Sequence, residues 1–535
     1  MSDKLTNLGA ALYTSASGEN TEPVRGVVRD GGSVPTWLSG SLIRNGPGLF
    51  EVGDTQYHHY FDGLALLRKF SISNGQVEFT SQFLRSDAYT TNMAYKRIVV
   101  SEFGTRTFPD PCKSWLGRFA SYFWPSEEEA KLRSMVSDNT FVNIFPIGDQ
   151  VYATTETNFL NRIDPRTLDC LEKVDLNKVI PINTVTAHPH IESDGSVLNV
   201  GTAFRDREGP QYVFARIPPG GLDKAEVVAK IPSRWRFNPA YFHSFAMTRN
   251  YLVLVESPLA LNIPRLIAAG IFGLSYGDCL NWYDGYGSLL HVVSRADGKL
   301  VQTLTAEAFF TFHHMNAYEV ECKDGSVEIV IDLSAYKSGD LIKRLSLKEM
   351  QQLSELPKTD VTLRRYRLKL GSTEIVKCTE PACRLAIEFP QINYRYNGEP
   401  YRYGYGVGKS MSTTEASGAA SSNSSIVKLD WQTEEVLQWN APGCEPSEAI
   451  FVEHPDRCSE DHGLLLASVV GTVDQRSLFL VILDAKSMTE VAKVDFKGVS
   501  VPSAIHGMFF SEEQLLKAAI ATKTAEAKKT EAEEK

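Results

Sequence analysis

The chain has 535 residues, 43% of them hydrophobic and 22% charged, a balance that supports a large buried core and excludes disorder for most of its length. A formal net charge of -10 and a pI near 5.7 repel phosphate backbones, so nucleic acid is not an expected partner. The eight cysteines are scattered without disulfide or zinc spacing, and no uninterrupted apolar run reaches the ~18 residues needed to span a bilayer.

Residues 1–24 read as an N-terminal extension. They lack an apolar secretory core, and their acidic residues argue against a mitochondrial leader, so a reducing, cytoplasmic location is expected. From residue 25 to 511, short runs rich in Val, Ile, Phe and Tyr alternate with turn signals, and helical periodicity is scarce. Ser73-Asn74-Gly75 joins two of the first strand-like runs. WLGRFASYFW at 115–124 breaks the rhythm, as does PLALNIPRLIAAGIFGL at 258–274. Both are apolar, aromatic and too short to span, which suits a peripheral membrane contact as well as an internal insertion. Cys112, beside the first of them, is either an acylation site or an ordinary buried thiol.

One hairpin pattern recurs: an apolar residue, Asp, two residues, then Ser or Thr. It stands at Ile163–Thr167, Leu429–Thr433 and Leu483–Ser487, with a looser copy at Ser294–Gly298. In each strict copy the Asp can cap a tight turn through backbone N–H groups. Repeated hairpins over most of a chain predict an all-β fold, either a β-propeller or a large sandwich. The last stretch, 512–535, is rich in Ala, Lys and Glu and is expected to be a charged, disordered tail or a frayed helix.

Eleven histidines are present. His188, His243, His313 and His506 each lie among residues suited to a buried strand end, yet they are far apart in sequence and form no close-spaced ligand motif. In most folds such residues are satisfied core histidines. A propeller alters that expectation, because the inner ends of successive blades all point to one axis.

The segments around these histidines resemble the carotenoid cleavage oxygenase family in its animal branch. The likeness runs from Gly40-Ser41-Leu42-Ile43-Arg44-Asn45-Gly46-Pro47-Gly48 through Phe61-Asp62-Gly63, Pro109-Asp110-Pro111-Cys112-Lys113, Thr154-Thr155-Glu156-Thr157-Asn158-Phe159, Glu388-Phe389-Pro390-Gln391-Ile392-Asn393 and Pro446-Ser447-Glu448 to Ile505-His506-Gly507. The resemblance implies a seven-bladed propeller under a dome of loops and helices, with Fe(II) on the axis bound by His188, His243, His313 and His506. It further implies that Glu156, Glu388 and Glu448 accept the free ring N–H of His243, His313 and His506 respectively, fixing tautomer and direction. His188 is assigned no carboxylate. Phe103 and Thr155 match positions that line the substrate tunnel. His190 and His314 follow ligands without being ligands; His58 and His59 fall in an early strand, and His291, His454 and His462 are surface or structural.

The function so implied is O₂-dependent cleavage of one double bond of a carotenoid to aldehyde or ketone apocarotenoids such as retinal. Isomerohydrolase action on a retinyl ester uses the same iron site without O₂ and stays open as the alternative. So does a carotenoid-binding protein without turnover, although a mere binder has no need of three carboxylates tuned to a metal. The bond that is cut, the natural polyene and the oligomeric state are not readable from these residues.

Overall fold

The Asp-led hairpins share one backbone shape. Arg166 N donates to Asp164 Oδ1 at 2.8 Å, Gln432 N to Asp430 Oδ1 at 2.9 Å and Lys486 N to Asp484 Oδ1 at 3.1 Å. Further along each turn the backbone becomes left-handed, at Leu168 (φ 70°), Glu434 (φ 58°) and Met488 (φ 60°). The N–H of each of these residues closes on the carbonyl of its Asp at 2.8, 2.7 and 2.8 Å. A left-handed non-glycine residue costs on the order of 1–2 kcal/mol, which the Asp bonds and flanking ladders must offset. The looser copy avoids the cost with Gly298 (φ 68°), which donates to Ser294 O at 2.9 Å. Asn74 and Gly75, both at positive φ, form the two-residue turn expected between the strands Leu64–Ser73 and Gln76–Phe83.

The computed structural model of the chain describes residues 8–108, 127, 135–204, 206–353, 360–379, 385–410, 424–472 and 477–533. Segment 115–124 and Cys112 lie outside the described residues. Seven antiparallel sheets succeed one another as blades. Blade one is built on Gly40–Arg44, Leu64–Ser73 and Gln76–Phe83. Blade two runs from Asn143–Ile147 to Cys170–Asp175, blade three from Thr184–Val185 to Glu226–Pro232, and blade four from Ala246–Met247 to Leu300–Ala306. Blade five runs from Phe310–Glu321 to Cys378–Thr379, blade six from Leu385–Gln391 to Val436–Trp439, and blade seven from Cys444–Pro446 to Glu490–Ser500. In blades two to seven the chain enters at one edge and meanders outward. Entry strands of neighbouring blades touch, Ala246–Met247 with Phe310–Glu321 and the latter with Leu385–Gln391, so these edges surround the axis. A propeller is therefore the fold, and the sandwich is not.

The ring closes where Gly507–Ser511 pairs with Gly40–Arg44, in register from Gly507 opposite Arg44 to Ser511 opposite Gly40. Closure removes the free edges that an open stack would expose. It also requires glycine at 507, where a Cβ would meet Ile43 O at 2.2 Å. The residue before it is His506, so this close approach fixes the position of one candidate ligand.

Both ends of the chain are more integrated than their composition suggested. Within the expected extension 1–24, the helix Leu8–Leu12 is largely buried, and the strand Asn20–Arg25 pairs with Gln76–Phe83 on blade one. Val27–Val28 then pairs with Glu490–Ser500, tying blade one to blade seven. Of the disordered tail or frayed helix expected at 512–535, the chain forms the helix Glu512–Glu533. Its buried Leu515, Ala518, Ala519 and Thr522 share one face at helical spacing and pack toward blades one and two, while Leu516 and Ile520 face outward.

Candidate metal centre

Each blade brings one polar residue to the axis. His188 sits between the short strands Thr184–Val185 and His190–Ile191 of blade three; His243 precedes the entry strand of blade four; His313 lies within that of blade five; His506 precedes the closing strand Gly507–Ser511 of blade one. Glu156, Glu388 and Glu448 come from blades two, six and seven. Strand irregularities flank two of the seven, His313 and Glu388. The ladder of blade five is bulged on both sides of His314, and that of blade six between Glu388 and Gln391. Beside Glu388, Phe389 is left-handed at φ 52°, a strained backbone that its neighbours hold in place.

The four histidines converge. Nε2 of His188 and of His243 are 2.9 Å apart, Nε2 of His313 and of His506 are 3.2 Å apart, and all four ligand atoms lie within 4.8 Å of one another. Two nitrogens bonded at right angles to one first-row metal, each ~2.1 Å away, would be about 3.0 Å apart. On the outer side, His243 Nδ1 meets Glu156 Oε1 at 2.5 Å, His313 Nδ1 meets Glu388 Oε2 at 2.6 Å and His506 Nδ1 meets Glu448 Oε1 at 2.9 Å. A carboxylate can only accept, so these three rings carry their proton on Nδ1. Their Nε2 lone pairs therefore point at one another across the axis. Without a cation between them that arrangement is repulsive; with one it is a ligand set. His188 has no carboxylate partner among the described residues.

The electrostatics agree. Burial, reinforced by the neighbouring rings, holds His188 well below the ordinary imidazole range, and burial brings His506 down to about 4 against the pull of Glu448. Both are neutral, as ligands must be. The carboxylates also have second partners. Tyr241 Oη donates to Glu156 Oε2 at 2.8 Å, and Tyr336 Oη donates to Glu388 Oε1. Arg44, fully buried, donates to Glu448 Oε2 at 2.7 Å, while Gln391 donates to Oε1 at 2.9 Å. Three carboxylates thus surround the centre; Arg44 offsets one, and a divalent cation would offset the other two.

Above the centre lies a cavity of ≈ 1660 Å³. His243, His313 and His506 face it, and Phe61, Phe103, Phe312 and Phe389 give it aromatic walls; Thr155 also lines it. The Phe312 ring stands edge-on to His243 at 5.0 Å between centroids. The helices Ile263–Phe272, Asp340–Arg344 and Leu347–Met350 roof this end of the propeller through Leu266, Leu341 and Met350.

The remaining histidines have other partners. His190 bonds Asn397 and Phe245 O, His314 bonds Ser244 Oγ, and His291 is buried between Glu256 and Thr303. His59 is not in a strand: it caps the short 3-10 helix Tyr60–Asp62 and reaches Ile342 O at 2.7 Å. Tyr241, Tyr336, Arg44 and Gln391 were not singled out from sequence. Tyr241 carried a signal, since a residue two before His243 in extended chain shares its face. Arg44 carried none, because it meets Glu448 only through ring closure.

Comparison with known proteins places this geometry. The family model described as retinal pigment epithelial membrane protein matches residues 13–511. The chain is 38% identical to beta,beta-carotene 15,15'-dioxygenase of Gallus gallus, over 94% of this chain and 98% of that protein, and 36% identical to that of Homo sapiens, over 92% and 93%. Cobalt-substituted Synechocystis apocarotenoid oxygenase superposes with a TM-score of 0.76 at 24% identity, covering 95% of this chain and 98% of that one.

Proposed function

The chain belongs to the retinal pigment epithelial membrane protein family, and from that membership we propose that it is an Fe(II) dioxygenase cleaving one double bond of a carotenoid to apocarotenoids such as retinal. The observation that carries this reading is a four-histidine centre, braced by three carboxylates, opening into a large aromatic cavity. The relatives named above as carotene dioxygenases cover nearly the whole chain.

Iron suits four neutral imidazoles and, when bound, would supply the activation of O₂ at positions the protein leaves free. The protein's share is orientation and exclusion. Phe61, Phe312 and Phe389 offer flat apolar faces along which a conjugated chain can lie, and the bond nearest the centre is the one exposed to reaction. Glu156, Glu388 and Glu448 keep three imidazoles in the Nδ1–H tautomer and raise their basicity. Both atoms of O₂ end in the two carbonyls formed as the C=C bond breaks, so no external reductant enters.

Iron-loaded protein supplied with β-carotene under air should yield carbonyl products by chromatography and mass, and none under nitrogen. Conversion of retinyl ester alone, independent of O₂, would instead identify an isomerohydrolase. Tight carotenoid binding with no product would leave a binding protein.

The same reading sets the cavity against a cytoplasmic membrane face, from which a water-insoluble polyene can enter. Support comes from segment 258–274. Its helix Ile263–Phe272 turns Leu266 and Ala269 to the cavity and leaves Ile267 79% exposed, and Phe237 is 58% exposed. Ile263 N donates to Phe237 O at 3.0 Å, which ties the first turn of this helix to the segment carrying Phe237. No helix among the described residues is long and apolar enough to cross a membrane. In flotation with phosphatidylcholine vesicles, Ile267→Glu should lower the bound fraction several-fold, since it places a charge where the interface demands an apolar group. Equal flotation of the variant would remove this segment from the contact.

A further inference from the structure

One half-buried acid in the cavity wall has no part in the metal centre. Glu102 lies in the turn that precedes Thr105, with its N–H on Thr105 O at 2.8 Å, and its side chain lines the cavity beside Phe103. Ser137 Oγ donates to Glu102 Oε1 at 2.6 Å, and Ser137 Oγ is itself fixed by Asn139 N at 3.1 Å. Among the described residues Glu102 Oε2 has no hydrogen-bond partner, and no lysine or arginine pairs with this carboxyl.

Two other carboxylates lie close, and both are engaged. Asp62 accepts from His59 N at 3.1 Å, Gly104 N at 2.7 Å and Thr105 Oγ1 at 2.5 Å. Asp138 accepts from Asp87 N at 3.0 Å and Ala88 N at 2.9 Å, with Lys173 Nζ at 3.4 Å. Glu102 is thus the acid of the three with hydrogen-bonding capacity to spare, and it lines the cavity. Burial, with Asp62 and Asp138 adding to it and the Ser137 hydroxyl opposing it, pushes its carboxyl well above the usual range. That shift favours the protonated carboxyl, which can donate one hydrogen bond and accept others.

Its place relative to the metal is set by a run of aromatic contacts. Phe103 is 5.7 Å from Phe61, Phe61 is 6.2 Å from Phe312 and Phe312 is 5.0 Å from His243, centroid to centroid. A polyene laid along these rings with its reacting bond at the centre extends one end toward Glu102. If that end is hydrocarbon, Oε2 stays unpaired in an apolar wall. If it carries oxygen, the acid can donate to a carbonyl or exchange donor and acceptor roles with a hydroxyl.

We propose that Glu102, steadied by Ser137, is a specificity determinant that recognises an oxygen atom at the end of the polyene. The preferred substrates are then oxygen-bearing polyenes, with a hydroxylated terminal ring or a terminal aldehyde, rather than the hydrocarbon. This rests on the polyene-cleaving reading given above. One neutral hydrogen bond of this kind changes kcat/KM by about tenfold.

The test compares three probes in the same detergent micelles: β-carotene, a carotenoid hydroxylated on its terminal ring, and an apocarotenal. With the iron-loaded enzyme, kcat/KM for at least one oxygenated probe should exceed that for β-carotene by about tenfold. Glu102→Leu should bring this ratio near one, and Glu102→Gln, which keeps a donor and an acceptor, should preserve most of it. Loss of folding or of metal lowers all probes alike and leaves the ratio unmoved. Preference for the hydroxylated probe assigns the contact to a ring hydroxyl; preference for the aldehyde assigns it to a carbonyl. Tryptophan quenching by the same probes measures binding without turnover. If nothing is cleaved, the dioxygenase reading fails, yet the quenching ratio still decides this inference. Equal ratios for wild type and Glu102→Leu in both measurements would overturn it, and a water molecule would then serve Oε2.

Discussion

Replacing any one of His188, His243, His313 or His506 by alanine is expected to reduce polyene turnover to background and to leave the purified protein depleted of metal. The reason is geometric. The four Nε2 atoms meet across the axis within 4.8 Å, and no other His, Cys, Asp or Glu among the described residues belongs to that cluster. The four variants should nevertheless differ in stability. Loss of His243, His313 or His506 leaves Glu156, Glu388 or Glu448 without the ring N–H it accepts, and a buried acceptor so orphaned costs ~1–3 kcal/mol. His188 has no such dependant. Urea unfolding of the metal-free proteins should therefore place His188→Ala close to wild type and the other three below it. A variant that keeps full turnover would remove its histidine from the ligand set. A His188→Ala protein as unstable as the rest would mean that His188 holds the fold rather than the metal.

How much of this was legible in the sequence depends on how local each feature is. The Asp164, Asp430 and Asp484 hairpins were readable because an Asp side chain caps its own turn within a few residues. They pointed to repeated hairpins but left propeller and sandwich both open. Convergence of His188, His243, His313 and His506 was not derivable from their spacing. It depends on ring closure by Gly507–Ser511 against Gly40–Arg44, a contact between the two ends of the chain. Only the resemblance of whole segments carried that information. The Arg44 to Glu448 pair was hidden for the same reason, while Tyr241 was overlooked despite its position two residues before His243. At the C-terminus the charged composition masked a short apolar stripe, Leu515, Ala518 and Ala519, which suffices to hold the helix Glu512–Glu533 against the propeller. Composition averages over faces, and a helix buries only one of them.

The second large effect concerns the carboxylates, which surround the metal in two different ways. Glu156→Gln and Glu388→Gln should fold normally and keep most of their metal while losing turnover ~10–100-fold. In each, the amide oxygen can still accept from the imidazole Nδ1–H, and its NH₂ can donate to the hydroxyl of Tyr241 or Tyr336 once that hydroxyl turns. The negative charge is gone, so His243 and His313 become weaker electron donors toward a metal held at the centre, and iron bound there would support O₂ activation less well. Glu448→Gln should behave differently. Its partner Arg44 is fully buried at 2.7 Å, and an amide NH₂ facing a guanidinium sets donor against donor around an uncompensated charge. Breaking a buried pair in this way costs about 3–5 kcal/mol, so this variant should lose stability as well as turnover. The double variant Arg44→Met with Glu448→Gln removes the stranded charge. It should recover much of the unfolding free energy and none of the turnover, because His506 still lacks its carboxylate. Metal content, urea unfolding and product formation, measured on all four proteins, separate the two roles. If every glutamine variant binds metal and cleaves carotenoid at the native rate, the carboxylates only hold the rings in place. If the double variant regains turnover together with stability, Glu448 matters as the counter-charge of Arg44 and not as the partner of His506.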